Sequence, residues 1–210
     1  MMIDYFISKV LNKRQNILNK KKEIKLKNDL NNIFIKNKVD IKEGYKIMGF
    51  PSILNFGTIE IGYDFQANSG VYHNEIGGDT LLRLIAYTKQ AKIIIGNNVG
   101  ISNSSLVSWN KIEIEDNVMI GGSVKIWDTD FHSLDPYIRT NTSDFEYDVK
   151  TKPILIKENA FIGASSIILK GVTIGKNSII GAGSVVTKQI PDNVIACGNP
   201  CRVIKNLNYH

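Results

Sequence analysis

The chain has 210 residues, of which 43% are hydrophobic and 22% charged. That is enough apolar material for a folded core, and it is the composition of an ordinary soluble globular protein. The net charge of +6 invites a nucleic-acid reading, but its distribution argues against one for the main domain. Residues 1–40 hold ten Lys/Arg against four acids, and the rest of the chain is balanced at sixteen of each. The basic character therefore belongs to an N-terminal appendage, read mainly as a solvated helix face. The alternative use of such a segment is a weak contact with a membrane or a partner protein. The start, "MMIDYFISKV", lacks the basic n-region and apolar run of a signal peptide. With no apolar stretch of membrane-spanning length either, a cytoplasmic location is expected.

In chain order, Ile3, Phe6, Ile7, Val10, Ile17 and Leu18 recur at helical spacing. The polar stretch "NKKKEIKLKNDLNN" reads as a second short helix or a linker. From residue 41 the period becomes six, through Ile41, Ile47, Ile53, Ile59, Phe65 and Val71. It resumes at Ile93, Val99 and Ser105, then shifts by one to Ile112, Val118 and Val124. After a break at 128–153 it runs through Ile154, Ala160, Ser166, Val172, Ser178, Ser184 and Ile190. A period of six predicts a parallel β-helix, each hexad giving one short strand and one turn. Small inward residues suit a narrow interior. The domains expected are a basic helical segment at 1–40, a β-helix at 41–205 with its excursion at 128–153, and a tail at 206–210.

The segment "IGASSIILKGVTIGKNSIIGAGSVVTKQIPDNVIACGNPCRVIK", residues 162–205, resembles the C-terminal half of the hexapeptide-repeat acetyltransferases, in the maltose, galactoside and capsular-sugar O-acetyltransferase branch. The likeness is strong over about 93–205. The resemblance implies an all-β fold, a left-handed parallel β-helix, since periodicity shows a β-helix but not its hand. It also implies a homotrimer with sites between subunits and acetyl-CoA as acyl donor.

The break contains "DTDFHSLD", residues 128–135, which is similar to the family's catalytic motif at His132. An imidazole is mostly neutral at pH 7 and suits removal of a hydroxyl proton. Asp130 and Glu146, with Asp135, are candidates to orient it. His73 and His210 lie outside such a motif, and no His-x4-His spacing or cysteine pairing supports a metal. Cys197 and Cys201 read as small packing residues.

Carried over from the resemblance, Phe161, Gly163 and Ala164 flank the thioester and pantetheine arm. Ala182, Thr187 and Lys188 follow that arm, and Arg202 and Lys205 meet phosphates. Family members often carry Trp at the position of Phe161. Asn103, with Ser102 and Trp109, is the candidate acceptor site. The expected activity is acetyl transfer to a carbohydrate hydroxyl in surface-polysaccharide biosynthesis, directly and without a covalent enzyme intermediate. The alternatives are N-acetylation of an amino-sugar nucleotide and a non-catalytic scaffold.

Overall fold

The computed structural model describes residues 2–76, 81–142 and 146–208; His210 lies outside them. The chain divides into two units, residues 1–36 and 37–210. The first is one continuous helix, α1 (Met2–Lys36). The polar stretch that suggested a break does not interrupt it. No Pro or Gly precedes Gly44 to stop the helix. It ends where Lys38 takes a left-handed φ of 52°.

The second unit is a three-sided parallel β-helix. Its strands form three sheets of six, eight and six strands. We call the sides face A, beginning with Val39–Ile41, face B, beginning with Lys46–Gly49, and face C, beginning with Ser52–Asn55. Each coil visits A, B and C in turn and pairs in parallel with the coil before it. The apolar residues of a strand therefore stack on their equivalents one strand spacing away, about 4.8 Å. Face A buries Ile61, Ile95, Ile114, Ile156 and Ile174 in one column. Face B buries Ile47, Ala67, Ile101, Ile120, Ile162, Ile180 and Ala196. Face C contributes Leu84, Leu106, Ile126, Ile168 and Val186. The antiparallel strand Arg202–Asn206 closes face B against Val194–Cys197.

The inward corner serines do more than fit. Ser104 Oγ donates to the Gly121 carbonyl at 2.9 Å, and Ser178 Oγ to the Pro191 carbonyl at 2.7 Å. Each buried hydroxyl thereby satisfies a corner of the neighbouring coil, which offsets its desolvation. The corner between A and B carries a second ladder. Asn98, Asn117, Asn159, Asn177 and Asn193 all adopt φ between 54° and 60°. Their amides bond from coil to coil, as in Asn98 to Asn117 at 2.9 Å and Asn177 to Asn193 at 2.8 Å.

Two hexad positions differ from the sequence reading. Val71 is 56% exposed, because the chain has already left the stack at Gly70. Ser104, not Ser105, is the inward residue. Gly100 pairs with Met119 while Ser105 pairs with Lys125, so the corner after Gly100 is one residue shorter than the corner above it.

Candidate active site

The excursion begins on a buried anchor. Asp128 is fully buried at the end of face C. Its carboxylate accepts from Ser108 Oγ at 2.7 Å, Trp109 N–H at 2.7 Å and Asn110 N–H at 2.9 Å. Its carbonyl accepts from Lys152 N–H at 3.0 Å, and Thr129 bridges to Thr151, which closes the neck of the loop. Phe131 takes a φ of 62° and packs edge-on to Trp109. That turn puts the next residue, His132, outside: its side chain is exposed.

The residues after it are tied down. Ser133 Oγ donates to Asp148 at 3.0 Å, and the Arg139 guanidinium donates to the Ser133 carbonyl at 2.9 Å. Hydrogen bonds from Lys150, then from Ser133, hold the Asp148 carboxyl below the usual carboxylate range. Asp135 caps the short helix α2 (Pro136–Asn141) by accepting from Tyr137 N–H and Ile138 N–H, so its carboxylate serves the loop. Glu146 is exposed in the turn of the returning limb. Asp130 has one oxygen, Oδ1, 2.6 Å from Lys170 Nζ; the other, Oδ2, is buried without a hydrogen-bond partner.

The candidate donor-binding residues fall on other parts of the prism. Phe161 is 44% exposed on face B, paired with Met119 below and Ile179 above. Gly163, Ala164 and Ala182 follow at the corner between B and C. A Cβ on Gly163 would lie 2.5 Å from Ala182 N, and one on Gly121 would lie 2.8 Å from Ala164 N. Glycine beneath each N–H therefore leaves it uncovered. Among the described residues, the N–H groups of Ala164 and Ala182 have no partner. Thr187 and Lys188 are exposed at the opposite corner, between C and A, where the His132 loop also starts. Arg202 and Lys205 are exposed on the closing strand of face B.

The candidate residues thus make two groups. His132, Thr187 and Lys188 belong to the C–A corner. Phe161, Ala164 and Ala182 belong to face B and the B–C corner. One face separates them, on the order of 15 Å for four to five residues at the strand rise.

Face B carries a groove of about 460 Å³ below Phe161, lined by Met119, Gly121, Ser102, Asn68, Met48 and Lys46 among others. Ser102 lines it and accepts from the Asn68 amide at 3.3 Å. The other two candidate acceptor residues are differently placed. Asn103 is fully buried and uses its amide on the backbone of Gly70, accepting at 3.0 Å and donating at 3.1 Å. Trp109 is 7% exposed, stacked on Tyr87 at 5.1 Å and edge-on to Phe131. It supports the loop and offers little face to a ligand.

Sequence reasoning missed Asp128, Lys170 and Gly121. Asp128 lay inside the quoted motif, but its value depends on Ser108 and Asn110 in the coil below, which no local pattern reveals. Among the described residues no cluster of three or more His, Cys, Asp or Glu side chains is arranged to hold a metal, and no helix is long and apolar enough to cross a membrane.

Residues 153–188 match the family model for the bacterial transferase hexapeptide (six repeats). The chain is 45% identical over 106 residues to a galactoside O-acetyltransferase of Lactococcus lactis, covering 50% of this chain and 48% of that protein. It is 40% identical over 125 residues to a galactoside O-acetyltransferase of Escherichia coli, covering 59% of each. Among solved structures, a galactoside acetyltransferase in complex with coenzyme A aligns with a TM-score of 0.54 and 31% identity, over 80% of this chain and 65% of that one. The chain spans about half the length of the curated relatives it matches.

Proposed function

We propose that the chain is a hexapeptide-repeat acetyltransferase, with the left-handed β-helix of that family, and that it transfers acetyl from acetyl-CoA to a carbohydrate hydroxyl; the family match and the galactoside acetyltransferase relatives support this reading. The observation that carries the reading is the division of the candidate residues between two corners. A convex prism brings neither group to the other. A groove between two copies of the chain would, with the His132 corner of one facing the Phe161 side of the next. We therefore take the active form to be a homotrimer with three shared grooves.

In that groove, the neutral imidazole of His132 takes the proton of the acceptor hydroxyl as its oxygen attacks the thioester carbonyl. The uncovered N–H of Ala164 donates to the oxyanion that forms. Collapse breaks the C–S bond, and the thiolate of coenzyme A leaves and recovers the proton from the imidazolium. Asp130, through its unpaired oxygen, is the nearest candidate in sequence to orient the ring. Phe161 flanks the pantetheine arm, Ala182 and Thr187 extend its path, and Lys188, Arg202 and Lys205 meet its phosphates. Ser102 lies on the acceptor side. The names of the relatives support a sugar acceptor, and we assign the product to surface-polysaccharide biosynthesis.

The test is release of coenzyme A from acetyl-CoA across a panel of sugars, nucleotide sugars and capsular oligosaccharides. His132→Ala should lose about 10²- to 10⁴-fold in kcat, the usual contribution of a positioned acid–base group. Retention of more than a tenth of kcat would move the base elsewhere. Light scattering on the same samples decides the shared site, which a fully active monomer would exclude.

A further inference from the structure

The groove on face B does not stop at Ser102. Through Met48 and Asn68 it opens into a second recess of about 320 Å³, whose far wall is Val71–Glu75. This wall leaves the stack after Ser69 and returns at Leu82. Its neck is closed by one hydroxyl: Ser69 Oγ donates to the Phe50 carbonyl at 2.6 Å and accepts from Leu82 N–H at 3.1 Å. At the exit, Gly70 adopts a φ of 119°, and the Asn103 amide clamps its backbone from both sides. The clamp comes from a side chain with no exposure at all.

What the wall presents is mixed in character. His73 is half-buried and packs its ring over Gly49, where a Cβ would fall 2.9 Å from it. Asn74 lies across Gly122, where a Cβ would fall 2.3 Å from its Nδ2. Gly122 accepts from Ser165 N–H, so this point is directly beneath the Ala164 corner. Asn74 Oδ1 accepts from Ile76 N–H at 3.3 Å, but Nδ2 is buried with no partner. Tyr72 is 95% exposed beside it. The exposed aromatic face of Tyr72 and the exposed carboxylate of Glu75 are groups that recognise a sugar ring: the first covers its C–H face and the second accepts from its hydroxyls.

We propose that residues 71–75 are the acceptor-selecting wall of the groove, with Tyr72 as the platform for the sugar ring and the Glu75 carboxylate as acceptor for one of its hydroxyls. Asn103 is a positioning residue that holds this wall and does not touch the acceptor. The inference rests on the acetyltransferase reading above and adds to it where the acceptor lies.

The test uses the full chain and any acceptor that supports release of coenzyme A. Tyr72→Ala should raise the acceptor KM about five- to tenfold and leave the acetyl-CoA KM within about twofold, as expected for loss of an aromatic contact. Tyr72→Phe should restore the acceptor KM. Asn103→Gly keeps the backbone conformation of a residue whose φ is 41° and removes the amide. It should raise the acceptor KM likewise and also speed hydrogen exchange in 70–76. Three results would each overturn the proposal: an unchanged acceptor KM in Tyr72→Ala, dissociation of the oligomer in that variant, or an acceptor defect in Asn103→Gly with exchange in 70–76 unaltered. The last would put the Asn103 amide on the acceptor itself. A wild-type chain that releases no coenzyme A with any acceptor fails before the variants are made, and takes the underlying reading with it.

Discussion

Lys170 Nζ lies 2.6 Å from Oδ1 of Asp130, with side chains 25% and 18% exposed. The lysine stands at the end of face C one coil above the loop, and the aspartate is two residues before His132. The pair therefore ties the outgoing limb of the loop to the stack. Lys170→Ala would leave a half-buried carboxylate with neither oxygen paired. The expected stability loss is about 1–3 kcal/mol, between that of exposed and fully buried pairs. If the tie positions the base, kcat should fall about tenfold with the acetyl-CoA KM unchanged, and Lys170→Arg should recover most of it. Equal losses in both variants, with normal loop protection, would refute a positioning role.

Gly163→Ala tests how closely the coils must stack. The new methyl would meet Ala182 N at 2.5 Å and the Ile180 carbonyl oxygen at 2.7 Å, both backbone atoms of the next coil. Neither can turn aside as a side chain would. A cost of roughly 1–3 kcal/mol is expected, as for other overpacked sites. Thermal unfolding should show a Tm several degrees lower. An unchanged Tm would mean that the corner has room to separate.

The loop should loosen in acid. The Asp148 carboxyl is depressed by Lys150 and Ser133, so its native bonds favour the ionised form. Such a group stabilises the fold fully above its unfolded value, near 3.9, and loses that contribution as pH falls through the lower folded value. Protease protection of residues 131–142 should be constant at neutral pH and decline only below about pH 4. Asp148→Asn should show reduced protection throughout. A decline centred near pH 6 would point to a histidine instead.

Arg202 should serve the donor. It is exposed on the closing strand, its guanidinium bonded only to the neighbouring Cys201 carbonyl at 2.8 Å among the described contacts. Arg202→Ala should raise the acetyl-CoA KM about tenfold while the acceptor KM stays within twofold, since a phosphate contact removed is a charge-assisted hydrogen bond lost. Lys188→Ala should do the same more weakly. The reverse pattern would place these residues on the acceptor.

The run from Ile154 to Ser184 was legible in the sequence because every hexad there has the same length; Ile190 is also inward, but it stacks on Ile174 and not on Val172, because the last coil is two residues shorter. The inward column then follows from counting. Counting failed at Ser105 because a corner lost one residue, and a local deletion looks the same as a change of phase until the pairing is seen. It failed at Val71 because an apolar residue at the right interval is indistinguishable from one that has just left the stack. Asn103 and Trp109 show a different limit. Both residue types suit sugar binding, and both are spent here on loops, the first on Gly70 and the second on Phe131. Residue type conveys chemistry; only burial shows to whom it is offered. The helix α1 was readable in its first half from apolar spacing, while its second half continues through lysines that carry no such signal.

The two excursions share a property with consequences for how such a protein diversifies. On either side of the 128–153 loop, Ile112 pairs with Ile154 in the same register that pairs Ile93 with Ile112. Across the 70–81 segment, Ile53 still meets Leu84. The strands resume as though the intervening residues were absent. A lengthened corner therefore leaves the pairing of the coils on either side intact. Insertions that would wreck a sandwich or a bundle should here be nearly silent to folding, so a loop proposed to set acceptor preference can be exchanged while the stack is inherited unchanged. Grafting residues 70–81 onto another β-helix of this kind should move the preference and leave the scaffold's unfolding temperature nearly where it was.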